Sequence, residues 1–267
     1  KEQYGDAAAY YAGGTELLIA LKARVLRYEH VIDIKRIPEL RGIQLSQDQA
    51  LTMGSLSTHH AIANNPLVRE VFPAYAELSE HVANIRVRAA GTIGGNICFA
   101  EPHADPPSLL CAAEARMHLV SVTGERRVPM RDFIVAEFTT AREEGELLVA
   151  VEVPSMPRGS SAAYRSFGHT ERPAVGVAAV HVPSASQPWR LWVGALCSRP
   201  IPLRASEDFA NGLPKGFSRE ELAARLGPVI EKEAESLEAH DDLHGSAQYK
   251  RHLVTVLAKR AMEACTP

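Results

Sequence analysis

Two glycine-bearing segments constrain this chain more than any other feature. Ala12-Gly13-Gly14-Thr15 follows a short apolar run, Tyr10-Tyr11-Ala12, and precedes Glu16-Leu17-Leu18-Ile19-Ala20-Leu21. That order reads as strand, turn and helix, with Thr15 as the helix N-cap. Gly91-Thr92-Ile93-Gly94-Gly95-Asn96 reads as a second such connection. Adjacent glycines let backbone N–H groups converge with no Cβ in the way. A cluster of amides of this kind binds phosphate oxygens. Two of them can grip a pyrophosphate from two sides, with Thr15, Thr92 and Asn96 as added side-chain donors. Neither segment is a GxGxxG or a GxxxxGK[ST] motif, and either pair of glycines taken alone reads more readily as a tight turn than as a ligand site.

Composition narrows the remaining choices. The 267 residues suit one large or two modest domains. With 46% hydrophobic and 23% charged residues the chain is an ordinary globular one, not a disordered or coiled-coil sequence. The 29 Lys+Arg against 32 Asp+Glu give a net charge of −3, which argues against a broad nucleic-acid surface. No apolar run approaches the roughly 18 residues of a membrane span. Cys98, Cys111, Cys197 and Cys265 lie far apart with no CxxC pair, so they read as reduced thiols of a cytoplasmic protein. They form neither a zinc nor an iron–sulfur signature.

Along the chain, Lys1 to Ala8 reads as the tail of a helix whose beginning lies upstream. His30 to Ile34 and Leu51 to Gly54 read as strands. Ser57-Thr58-His59-His60 opens a helix through Asn64, and Pro66 to Val82 has a helical apolar period. The Pro-rich stretch Glu101 to Pro107 leads into a short helix, Ser108 to Ala113. Met117 to Val122 is a strand ended by the turn Thr123 to Arg126, and Leu147 to Val153 is a strand stopped by Pro154. Pro, Gly and Ser concentrate between Pro154 and Ser161, the best boundary. Beyond it, Ser161 to Phe167, Ala174 to Val182 and Trp189 to Leu196 are spaced as an antiparallel meander. Ser218-Arg219-Glu220-Glu221 reads as a capping box, and Tyr249 to Cys265 as an amphipathic helix with a core stripe of Leu253, Val256, Leu257 and Ala261. The expectation is two α+β domains, 1–155 and 156–267.

"AGGTELL", "VIDIKRIPELRGI" and "RAAGTIGGNICFAEPHADPPSLL" resemble, in order and spacing, the FAD-binding medium subunit of molybdenum hydroxylases. This is the carbon monoxide dehydrogenase, xanthine dehydrogenase and aldehyde oxidase group. "GELLVAVEVP" and "LHGSAQYKRHLVTVLAKRAM" extend the resemblance through almost the whole chain. It implies a vanillyl-alcohol-oxidase-like (PCMH-type) FAD-binding domain of two α+β subdomains, followed by a small C-terminal α+β domain with an antiparallel sheet and helices. It also implies a short strand and helix before residue 1. By the same resemblance Ala12, Gly13, Gly14, Thr15, Glu16 and Leu17 wrap the pyrophosphate of FAD. Thr92, Ile93, Gly94, Gly95 and Asn96 supply a second nest, Asp105 sits by the FAD sugar, and Leu148 packs by the flavin. Electrons from iron–sulfur (2Fe-2S) clusters in a small partner subunit reach this FAD, and a large partner subunit holds the molybdenum–pterin site. The implied assembly is a dimer of heterotrimers. Ser166 stands where many members carry Lys, so the groups that face the flavin from the second domain are open.

Other residues have plainer readings. His59 and His60 point about 100° apart on a helix and cannot share an ion; one lines a loop and the other is solvated. His103 and Asp105 lack a third ligand for a metal. His240-Asp241-Asp242 with His244 reads as a solvated turn, and Cys98 as a small buried apolar residue. Arg86 and Arg88 face phosphate, a partner or solvent. No GxSxG elbow and no carboxylate pair supplies a protein catalytic set, which fits chemistry that belongs to a cofactor. Two other readings stay open: a stand-alone flavin oxidoreductase of the enolpyruvyl-glucosamine reductase type, and a flavin-free docking subunit.

Overall fold

Lys1 to Ala8 forms a 3₁₀ turn, Gly5–Ala7, before strand β1 (Ala8–Tyr11) begins. The structure is a computed structural model that describes every residue except 2, 169–170, 215–218 and 266–267. After β1 the chain turns through the first glycine segment into α1 (Leu17–Lys22) and returns as β2 (His30–Asp33). β1 and β2 pair in parallel, Ala8 opposite His30 and Tyr11 opposite Asp33. Parallel pairing needs a crossover, and α1 supplies it. The N-cap of α1 is Glu16, with no side-chain cap bond, and not Thr15.

β3 (Ile43–Leu45) and β4 (Leu51–Gly54) form a hairpin. α2 (His59–Asn64) is capped by Thr58, whose Oγ1 accepts from the Ala61 amide at 3.1 Å. The helical stretch expected over Pro66 to Val82 divides into α3 (Pro66–Val71) and α4 (Pro73–His81). The break falls at Phe72 (φ −146, ψ 61), because Pro73 brings no N–H and disfavours helical geometry in the residue before it. A helix absent from the sequence reading, α5 (Ile85–Ala90), starts at Asn84, whose side chain accepts from the Arg86 and Val87 amides.

The second glycine segment is not a turn. Gly94 and Gly95 lie in the first turn of α6 (Ile93–Phe99), capped by Thr92 Oγ1, which accepts from the Gly95 amide at 3.0 Å. α7 (Pro106–Ala112) follows, then β5 (Arg116–Ser121), β6 (Gly124–Pro129), α8 (Met130–Phe133), β7 (Ile134–Ala136), β8 (Thr139–Thr140) and β9 (Leu147–Val153). Five of these strands make an antiparallel sheet in the order β3-β4-β9-β5-β6.

β10 (Ser161–Phe167), β11 (Val175–His181), β12 (Trp189–Gly194) and a short β13 (Ile201–Pro202) form the antiparallel meander. α9 (Arg204–Gly212), α10 (Arg219–Ser236) and α11 (Ala247–Cys265) cover one face of it. The expected capping box begins at Ser218, outside the described residues.

Strand β11 is buried on both faces. Val175, Val177 and Ala179 join the core under α9, α10 and α11, with Leu226, Ile230, Val254 and Leu257. Ala178 and Val180 point the other way, into the core built around Ile93, Ile97, Leu109 and Val151. This is the period-2 alternation of a strand, with apolar residues on both sides. α11 faces the sheet through Leu253, Val254, Leu257, Ala258 and Ala261; Val256 is half-buried.

Glycine in a helix costs about 1 kcal/mol against alanine, so the two in α6 need a packing reason. A Cβ on Gly94 would lie 2.6 Å from Ser55 Cβ and 2.7 Å from the Ser55 carbonyl oxygen. The Gly94 amide donates to that same oxygen at 2.9 Å, and the Ile93 amide donates to Ser57 O at 3.0 Å. Gly94 therefore seats α6 on the loop between β4 and α2. Gly94→Ala should lower unfolding free energy by about 1–3 kcal/mol, read as a shifted urea midpoint with unchanged slope in the cofactor-free chain. An unshifted midpoint would mean that the loop yields at no cost.

Candidate cofactor site

The two glycine segments touch. A Cβ on Gly13 would stand 2.0 Å from the Ala90 carbonyl oxygen and 3.0 Å from Gly91 Cα. A Cβ on Gly91 would lie 3.4 Å from both Thr15 Oγ1 and His59 Cδ2, and one on Gly95 would be 4.0 Å from Ala12 Cβ. Ala12 to Thr15 thus forms one wall of a junction and Gly91 to Gly95 the other. Gly14 takes φ +73 to make its turn, a conformation open to glycine.

The walls differ in what they offer. Among the described residues, the amides of Gly13, Gly14, Thr15, Glu16 and Leu17 have no protein acceptor. Five consecutive free donors make an anion cradle. In the second segment the amides of Ile93, Gly94, Gly95 and Asn96 donate to Ser57 O, Ser55 O, Thr92 Oγ1 and Thr92 O. The second backbone nest expected at Thr92 to Asn96 is not built, because those donors hold α6 in place. The glycines read there as ligand-binding are required by packing.

What the second wall offers is side chains. Asn96 Oδ1, Ser55 Oγ and His59 Nδ1 are buried and have no hydrogen-bond partner. Such atoms cost free energy when left alone, and a ligand rich in hydroxyls and phosphate oxygens would relieve the cost. The residues present therefore fit the FAD implied by the resemblance. His59 is 2% exposed and His60 is exposed on the outside of α2, so the adjacent pair divides between loop and solvent. Burial holds the His59 imidazole down at about 4, with the nearby Arg88 charge acting in the same direction. Arg88 itself donates to the carbonyls of Val82 and Ala83 at 3.0 and 2.8 Å, which fixes the entry to α5.

Asp105 lies just before α7, 59 residues from Tyr164, whose hydroxyl donates to Asp105 Oδ1 at 2.8 Å. Leu148 is 2% exposed, in the main core on β9, the strand that packs against α6. From the C-terminal half, Arg172 reaches over both walls. Its guanidinium donates to both carboxylate oxygens of Glu16 at 3.0 Å and meets Glu101 at 3.1 Å. Beside it Asn84 Nδ2 donates to Glu171 at 2.7 Å, and His103 Nδ1 lies 2.9 Å from Pro173 O.

His103 and Asp105 hold no metal between them, since each is engaged with a different element of the C-terminal half. The cluster read as a solvated turn is a turn with His240, Asp241 and Asp242 exposed, and it also meets the N-terminal half. Asp242 accepts from Lys250, which is 1% exposed, and lies 3.3 Å from His103 Nε2, while His244 packs on the His103 ring at 4.3 Å. Among the described residues no three His, Cys, Asp or Glu gather as a metal site. Burial pushes the Cys98 thiol up, which disfavours its reactive thiolate.

His59 gives the junction a pH signature. Its folded value of about 4 lies below the ordinary 6.5, so the unfolded chain binds more protons between those limits. Stability from this group is whole above pH 6.5 and is lost as pH falls toward 4, by at most about 3 kcal/mol. His59→Gln should remove that part of the acid slope in urea unfolding of the cofactor-free chain. Identical slopes in both proteins would refute the buried neutral imidazole.

The comparisons agree with this geometry. A family described as the FAD binding domain in molybdopterin dehydrogenase matches residues 1–156. The carbon monoxide dehydrogenase medium chain of Hydrogenophaga pseudoflava is 32% identical over 264 residues, covering 98% of this chain and 90% of that one. The xanthine dehydrogenase FAD-binding subunit of Escherichia coli O157:H7 is 26% identical over 265 residues, covering 96% and 87%. Among solved structures, the carbon monoxide dehydrogenase of H. pseudoflava lacking the Mo-pyranopterin moiety of its cofactor superposes with a TM-score of 0.89 at 31% identity, covering 99% of this chain and 91% of that one. With its glycine junction, its mixed helix-and-sheet architecture and this match over more than half its length, the chain belongs to the FAD-binding domain family of molybdopterin dehydrogenases, the flavin subunits of the molybdenum hydroxylases.

Proposed function

We propose that this chain is the FAD-binding electron-transfer subunit of a multi-subunit, cytoplasmic molybdenum hydroxylase. The observation that carries the reading is the run of five free amides, Gly13 to Leu17, facing a wall whose own amides are spent. In this reading residues 1–155 hold the cofactor and 156–267 cover it. Ala12, Gly13, Gly14, Thr15, Glu16 and Leu17 surround the pyrophosphate, whose oxygens take the free amide protons. Thr92, Ile93, Gly94, Gly95 and Asn96 form the opposite wall, with the Asn96 side chain as its polar contact. Asp105 accepts from a sugar hydroxyl, and Leu148 packs by the flavin. FAD bound here would supply the electron transfer between iron–sulfur clusters of a small partner subunit and an external acceptor.

In this reading the chain's own residues bind and enclose the cofactor. Substrate oxidation would therefore belong to a large molybdopterin subunit, in a dimer of heterotrimers. Support comes from relatives that are named as medium chains or FAD-binding subunits of dehydrogenases. Within the described residues no helix is long and apolar enough to cross a membrane.

The visible spectrum of the purified chain tests this. With FAD added it should show oxidised-flavin absorption at one flavin per chain, released as FAD on denaturation. A folded chain that takes up no FAD would favour the docking-subunit reading. Asn96→Ala should weaken FAD by about 1–2 kcal/mol, the worth of a lost hydrogen bond, measured by flavin fluorescence titration. Unchanged affinity would remove Asn96 from the site.

A further inference from the structure

The Asp105 carboxyl is enclosed by protein, while the residue keeps part of its surface open to solvent. One oxygen, Oδ1, is taken by the Tyr164 hydroxyl at 2.8 Å. Tyr164 stands on β10, across the junction between the two halves. Its hydroxyl is held in turn by the shape of β11. A Cβ on Gly176 would lie 1.9 Å from Tyr164 Oη, so only glycine there leaves room for the phenol. Neutral hydroxyls of Ser166 on β10 and Ser108 on α7 also approach the pair. The charged or titratable groups that face Asp105 are Tyr164 from β10 and His81 from the end of α4; β11 and α7 bring Gly176 and Ser108, which carry no charge.

We propose that Tyr164 is a positioning residue for Asp105: by donating to Oδ1 it keeps the carboxyl ionised and leaves Oδ2 to accept from a polyol hydroxyl of the FAD. This rests on the cofactor reading given above. The physical need is plain. Desolvation by burial favours the neutral acid and lifts the Asp105 carboxyl to about 6. The Tyr164 hydrogen bond works in the opposite direction, and the weaker Ser166 and His81 contributions act with it. Ser166 is thus part of this neutral hydroxyl shell.

Tyr164→Phe removes one hydroxyl and keeps the ring, so it tests the pair without emptying the core. Two measurements decide. In the cofactor-free chain, infrared titration of the protonated-carboxyl band, assigned by its loss in Asp105→Asn, should give a higher midpoint in Tyr164→Phe than in wild type. With FAD, the variant should bind about fivefold more weakly near pH 6.5 and equally well at pH 9, where both carboxyls are ionised. In the Asp105→Asn background the Tyr164→Phe change should have no pH-dependent effect. An unmoved infrared midpoint overturns the proposal, and so does a loss of affinity that is the same at every pH, the mark of a structural role. A wild-type chain that takes up no FAD at any pH overturns the cofactor reading instead, and the infrared titration then still decides whether Tyr164 holds Asp105.

Discussion

The contact of Gly13 with Ala90 and Gly91 is the constraint on which the rest of the site depends. Only a residue without a side chain can bring the first loop's backbone so near the carbonyl oxygen of Ala90. That approach divides the labour between two segments that look alike as sequence. The Thr92 to Asn96 amides anchor α6 to Ser55 and Ser57, while the Gly13 to Leu17 amides are left with nothing to donate to. A rigid wall with its hydrogen bonds satisfied therefore stands against a wall of open donors. A preorganised cradle of this kind binds anions without first breaking bonds within the protein.

Sequence reasoning found the strands best, because short apolar runs bounded by Gly, Pro and Asp have few other readings. β2, β4, β9 and β10 to β12 all lie where those runs put them. It misjudged the second glycine segment, since a glycine pair signals a turn from local propensity alone. Only Ser55, far earlier in the chain, explains why a helix tolerates glycine at position 94. α5 escaped notice because its six residues carry no helical apolar stripe; the Asn84 cap was the available signal. Thr58 likewise signals that α2 begins at His59, but nothing local says that His59 faces inward. The partners Tyr164 and Asp105, and Arg172 with Glu16 and Glu101, join residues far apart in sequence. Pairings at that range follow from tertiary packing and have no periodic trace.

The junction between the halves mixes polar and apolar contacts. Arg172, His103, Asp242 and Lys250 supply part of the polar contribution, each with a partner of opposite charge or an acceptor. Burial raises the Glu101 carboxyl, and the Arg172 charge draws it back down. A buried lysine such as Lys250 is tolerable because Asp242 and the His240 carbonyl accept hydrogen bonds from its ammonium group.

The two-faced burial of β11 has a thermodynamic consequence. One strand contributes alternate residues to both cores, so neither half can lose its structure without exposing apolar surface of the other. The halves of this molecule are thus a division of architecture and not of cooperativity. Their melting is coupled through β11, with Ala162 and Tyr164 of β10 and Trp192 of β12 packed on the same core, and a chain cut in the Pro154 to Ser160 linker leaves a second fragment that needs the first to cover Ala178 and Val180.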